Sequence, residues 1–206
     1  FNDGRSYQDA EQYFGSLELD YDLGNAFTLS SVTGYYDVNQ ESLINGSITT
    51  EVGTPIGIQG ILDRSDFTQE LRLTSAFDGS LNFLLGAFYQ DGETEYENSL
   101  ATNQTYVRLL NRPGRPPAYF WPAQSWQDAQ IDAETLSAFG QALWQITPEL
   151  ELGVGTRWTD EERNLSVTNL LPQVLTGGPA VPINVPRPDL ETDKWSPEIS
   201  LTYTPT

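Results

Sequence analysis

The chain has 206 residues, 29 of them acidic and 10 basic, for a net charge of −19. That balance argues against nucleic acid as a partner, because phosphate binding needs a basic surface. There is no cysteine, hence no disulfide framework, and no histidine, which removes Ser-His-Asp, Cys-His and His-metal chemistry from within the chain.

Acidity alone points to disorder, but 12% aromatic residues and many β-branched ones point to a packed structure. The mean hydropathy is −0.41. No apolar run approaches the ~18 residues of a membrane helix. A barrel strand, however, shows lipid only every second side chain, so low hydropathy does not argue against a membrane. The first residue, Phe1, reads as internal, so the chain is expected to be a fragment or a processed product.

In chain order, the first strand is expected near residues 13–23, with Tyr13, Leu17, Leu19, Tyr21 and Leu23 on one face and Glu18, Asp20 and Asp22 on the other. After Gly24-Asn25 comes a second, 26–37, with Phe27, Leu29 and Tyr35 in phase. A third, 65–77, sets Phe67, Leu71 and Leu73 against Glu70 and Arg72. The turn Asp78-Gly79-Ser80 leads to a fourth, 81–97, with Leu81, Phe83, Leu85, Ala87 and Tyr89 at every second position. A fifth at 133–146 and a sixth at 150–163 flank Thr147-Pro148-Glu149. A seventh, 193–204, contains Pro197, a weak point because proline donates no ladder hydrogen bond. Period two with one apolar face defines a half-buried strand.

The tight turns alternate with long polar stretches, roughly 38–65, 98–131 and 164–192. The last contains five prolines from Pro172 to Pro188 and reads as an irregular surface loop. Short and long connections in alternation put all tight turns on one side, as in outer-membrane β-barrels. The aromatics support this: Tyr21, Phe27, Phe77, Phe83, Trp144 and Tyr203 sit near tight turns, and Tyr13, Tyr35, Phe67, Tyr89, Trp158 and Trp195 toward the long loops. The expected fold is therefore all-β, an antiparallel transmembrane β-meander of about seven strands, each paired with its sequence neighbour. Leu81, Phe83, Leu85, Leu150, Leu152, Val154, Ile199 and Leu201 are expected to face lipid, and Glu70, Arg72, Gln141 and Arg157 the lumen. A soluble acidic β-sandwich binding module is the alternative, since sandwich strands also alternate.

Several stretches resemble the barrel of TonB-dependent outer-membrane receptors. The most specific is the run from Phe67 to Ser75, FTQELRLTS, followed after a turn by Gly86-Ala87-Phe88-Tyr89. Others are Phe27 to Tyr35, Ala138 to Ala142, Leu152 to Thr159 and Trp195 to Glu198, in the family's order over almost the whole chain. The resemblance implies a partial barrel domain over residues 1–206 of a roughly 22-stranded barrel. The plug domain and its coupling box are absent, and with them the contact to TonB. It also implies the bacterial outer membrane as location. The implied function is active uptake of a scarce ligand, such as a ferric siderophore or similar metal chelate. A passive porin or adhesin barrel is the competing membrane reading.

Residues 98–127 hold Arg108, Arg112 and Arg115 and no acid. Tyr119, Trp121 and Trp126 accompany them. Arginines offer forked hydrogen bonds to anions, and aromatics flat apolar contact. The loop is a candidate for capturing an anionic small molecule. Two other readings stand beside this: an ordered loop whose arginines pair with acids on neighbouring strands, and arginines that bind lipopolysaccharide. Asp160-Glu161-Glu162 fits no calcium-loop spacing. Asp91, Glu93, Glu95 and Glu97 share one face, lumen or solvent. No carboxylate pair is held at a catalytic separation, so no enzyme activity, cofactor or metal ion is expected.

Overall fold

The computed structural model describes residues 6–45, 56–102, 124–171, 181–185 and 189–205. They form one antiparallel sheet: β1 Tyr7–Gly24, β2 Phe27–Asn45, β3 Ile56–Ser75, β4 Leu81–Thr102, β5 Gln124–Thr147, β6 Leu150–Leu171, β7 Val181–Val185 and β8 Leu190–Tyr203. From β1 to β6 each strand pairs with its sequence neighbour. β7 and β8 both pair with β6, β7 at its far end and β8 beside its first two-thirds. Seven strand positions therefore cross the sheet, as the alternation predicts.

The strands run further than their apolar patterns do. The stretch expected as a long connection at 38–65 is largely strand, because β2 continues to Asn45 and β3 begins at Ile56. β4 and β5 likewise extend into 98–131, and β6 into 164–192. Cross-strand hydrogen bonding continues wherever a neighbour offers a backbone, whether or not either face is apolar. The proline-rich stretch also differs from expectation, since Val181–Val185 pairs with β6. Between β7 and β8 the register along β6 changes by one residue.

Pro197 costs the ladder to β6 no hydrogen bond, for a geometric reason. The Thr204 N–H donates to the Glu149 carbonyl at 2.8 Å, so those two form a hydrogen-bonded pair. Antiparallel pairs alternate in type, and the register is constant from there to Thr156–Pro197. Pro197 therefore occupies a non-bonded pair, with its nitrogen directed away from β6.

The β1–β2 turn is two residues long, Asn25 and Ala26, with φ of 53° and 65°. Positive φ at both central residues matches the strand twist in hairpins. Gly24, at φ 75°, accommodates the register shift beside it. At the β3–β4 turn, Asn82 closes the loop. Its Oδ1 accepts from the Phe77 N–H at 2.6 Å and from the Ser75 hydroxyl at 3.0 Å.

The sheet is a single layer. Val38 and Val167 are the buried apolar residues among those described, while Leu17, Leu201 and Ile199 are 56%, 65% and 75% exposed. Contacts concentrate between hydrogen-bonded neighbours. A sandwich would stack a second sheet on the apolar face, so the sandwich alternative fails.

Candidate functional site

Directly paired residues share a face, so the register sorts every strand. On the first face lie Leu17, Leu19, Leu29, Leu71, Leu73, Leu81, Phe83, Leu85, Ala138, Leu150, Leu152, Val154, Ile199 and Leu201. On the second lie Glu70, Arg72, Gln141 and Arg157. Both sets agree with the expected facing.

The first face is bounded on both sides. Tyr13, Tyr35, Phe67, Tyr89, Leu136, Trp158 and Trp195 stand on successive strands. Tyr35 pairs with Phe67, Tyr89 with Leu136 and Trp158 with Trp195, and each change of pair steps two residues toward the tight turns. The line thus descends about one residue per strand. At ~3.3 Å per residue and ~4.8 Å between strands, that slope is about 35°. It matches the ~35–45° strand tilt of outer-membrane barrels. Eight residues separate Phe27 from Tyr35, Leu81 from Tyr89, Trp144 from Leu136, Leu150 from Trp158 and Tyr203 from Trp195. Eight residues so tilted span about 22 Å, close to the ~25 Å apolar band of such barrels. At the lower margin Phe27, Phe77 and Phe83 cluster, with centroids 5.2–6.2 Å apart.

Just beyond the upper line the same face turns acidic. Two residues further along each strand stand Glu11, Asp37, Asp91, Glu134, Asp160 and Asp193, with Ser65 on β3. Asp9, Asp63, Glu93, Asp132, Glu162 and Glu191 follow, with Asn39 on β2. Carboxylates do not enter hydrocarbon unpaired, so the aromatic line marks where lipid ends and solvent begins. Asp91, Glu93, Glu95 and Glu97 are thereby placed on the solvent side of the apolar face. Among the described residues no group of three or more acids is set to hold a metal ion.

The second face carries polar pairs. Arg72 bonds Glu70, and Arg163 bonds Glu161. Arg64 donates to Asp66 at 2.6 Å. This bond, followed by the carboxylate's charge, raises the Arg64 guanidinium above its ordinary value. Arg157 differs: its Nη2 donates to the Ser137 hydroxyl at 3.0 Å and its Nε to Thr159 at 3.3 Å. The Phe88 and Phe139 rings flank it.

Residues 1–206 match the family model for the TonB-dependent-receptor-like β-barrel. The chain belongs to the TonB-dependent receptor family. TonB-dependent receptors are β-barrel proteins of the bacterial outer membrane, so the apolar face meets lipid and the second face lines the lumen. A relative described as the probable TonB-dependent siderophore receptor PiuA of Acinetobacter baumannii is 22% identical over 194 residues, covering 80% of this chain and 26% of PiuA. Among solved structures, the ferric yersiniabactin uptake receptor FyuA of Yersinia pestis superposes with a TM-score of 0.71 at 13% identity, over 98% of this chain and 27% of that one. The PiuA structure gives 0.63 at 22% identity, over 98% and 31%. The chain thus spans between a quarter and a third of these relatives.

Arg108, Arg112, Arg115, Tyr119 and Trp121 lie outside the described residues. Trp126 lies in β5 opposite Ser99, on the lipid-side face and ten residues beyond Leu136. Gln59, Ile61, Glu97 and Ser99 share a cleft of about 200 Å³ with it. The sequence reading placed Arg157 toward the lumen but missed the hydroxyls and rings that hold it there. One signal was available: Arg64, Arg72 and Arg163 each have an acid two residues away, whereas Arg157 has Gly155 and Thr159.

Proposed function

We propose that this barrel segment serves an active outer-membrane transporter that takes up a ferric siderophore or similar metal chelate with energy from the TonB system. The observation that carries this reading is the match of the family model along all 206 residues. The siderophore receptors among the similar proteins support the class of cargo. The part of the protein that contacts TonB lies in the plug, outside this chain. Transport rather than catalysis is the role of the family.

Ligand capture is assigned to the stretch that holds Arg108, Arg112, Arg115, Tyr119 and Trp121, together with Trp126 in β5. Three arginines without an acid over residues 98–127 contrast with the acidic residues of the strands. Such a patch raises the local concentration of an anion and offers forked hydrogen bonds.

The test is uptake of ⁵⁵Fe-labelled chelates by iron-starved cells with and without the gene for the full-length receptor. Loss of uptake of one chelate, restored by the gene and abolished in a strain lacking TonB, is the expected result. Uptake that persists without TonB would replace this reading with that of a passive porin.

A further inference from the structure

Four arginines are among the described residues, and three of them are neutralised on their own strand. Arg64, Arg72 and Arg163 bond Asp66, Glu70 and Glu161, each two residues away on the same face. Arg157 has no carboxylate within ion-pair distance among the described residues. It is nevertheless held in place. Two hydroxyls accept from it, and the Ser137 hydroxyl belongs to a residue only 1% exposed. Its guanidinium carbon lies 5.3 Å from the Phe88 ring centroid and 5.5 Å from that of Phe139. Phe139 in turn lies over Gly86, where any side chain would meet its ring.

A guanidinium has five N–H donors, and two are used here. The remaining three sit on the two terminal nitrogens, the forked pair that matches a carboxylate. The flanking rings limit hydration of the charge and so strengthen what it binds. Space is provided: Arg157 lines a cleft of about 360 Å³ with Gln141 and Gly155, at the small end of ligand cavities. Glu70 also lines it but is taken by Arg72. Glu198 lines it too, opposite Gly155, and forms no ion pair with Arg157. A single carboxylate fits this setting better than a polyanion.

We propose that Arg157 is a pre-oriented receptor for one carboxylate on the polar face of the sheet. The carboxylate comes either from a solute in the lumen or from a side chain of the longer polypeptide. The inference uses only this face and does not rest on the uptake reading or on residues 98–127.

The experiment uses the full-length receptor in detergent, as wild type, Arg157→Gln and Arg157→Lys. Benzoate is the probe for a solute, read by saturation-transfer NMR. The unfolding midpoint is read at pH 7 and pH 3.5. A solute site gives benzoate signals in wild type, at least about tenfold weaker binding in Arg157→Gln and an intermediate value in Arg157→Lys. An internal partner gives no benzoate signal, but a lower midpoint for Arg157→Gln at pH 7. That gap narrows at pH 3.5, because a carboxylate paired with a cation contributes stability above its unfolded pKa and loses it progressively as pH falls through the folded value. A side chain that merely packs would leave the gap equal at both pH values. No benzoate binding in wild type together with an equal or absent gap overturns the proposal, even if Arg157→Gln proves unstable.

Discussion

Phe27 and Phe77 meet edge to face at the tight-turn end of the sheet, with ring centroids 5.2 Å apart and planes at 88°. Phe77 follows β3 and Phe27 opens β2, so the contact ties the β3–β4 turn to the β1–β2 hairpin. Such pairs contribute ~0.5–1.5 kcal/mol beyond area burial. A double-mutant cycle of Phe27→Leu and Phe77→Leu in the full-length receptor, read by urea unfolding, should give a coupling energy in that range. Strict additivity would mean the rings act only as separate lipid anchors.

Leu85 lies midway between Leu81 and Tyr89 on the lipid face. Arg there should cost ~2–4 kcal/mol, as a charge at the bilayer midplane does. Gln141→Arg, on the lumen face one row away, should cost well under half as much. Unfolding from lipid vesicles reads both. Equal costs would invert or dissolve the facing.

The edge of the membrane can be read directly. Nitroxide labels at Leu85, Tyr89 and Glu93 lie on one face of β4 at rising height. Oxygen accessibility should be highest at Leu85. A water-soluble nickel chelate should reach Glu93 and be excluded from Leu85. Equal nickel access at all three positions would show that the aromatic line bounds nothing.

Ala26 carries φ 65°. A side chain in the left-handed region costs ~1–2 kcal/mol, part of which glycine returns through the freedom of its unfolded chain. Ala26→Gly should therefore stabilise the receptor by about 0.5–1 kcal/mol, seen as a higher unfolding midpoint.

Asn82 satisfies the Phe77 N–H and the Ser75 hydroxyl at the β3–β4 turn. Asn82→Ala removes both partners at once and should cost about 1–3 kcal/mol. Hydrogen exchange should quicken at the Phe77 amide before it does at Leu85. Unchanged exchange at Phe77 would mean water replaces the amide without loss.

The sequence by itself determined the membrane-spanning part of this protein. Alternation is local, and each strand from Phe27–Tyr35 to Trp195–Tyr203 advertises its lipid face in its own residues. The turns were legible for the same reason, since Gly24-Asn25 and Asp78-Gly79 need no distant partner. The resemblance around FTQELRLTS supplied the family from the same short-range pattern. Beyond the aromatic line that signal ends, because Asp91 to Glu97 are acidic on one face and polar on the other, and solvent bathes both. Only the tertiary structure decided how far β4 continues, since an extended strand there is held by backbone bonds to β3 and β5 rather than by burial. The slant of the aromatic line, the solvent placement of Trp126 and the rings around Arg157 were decided there too. Each depends on the register between strands, which joins residues far apart in sequence. A one-residue slip would change all three while leaving every strand's own pattern intact.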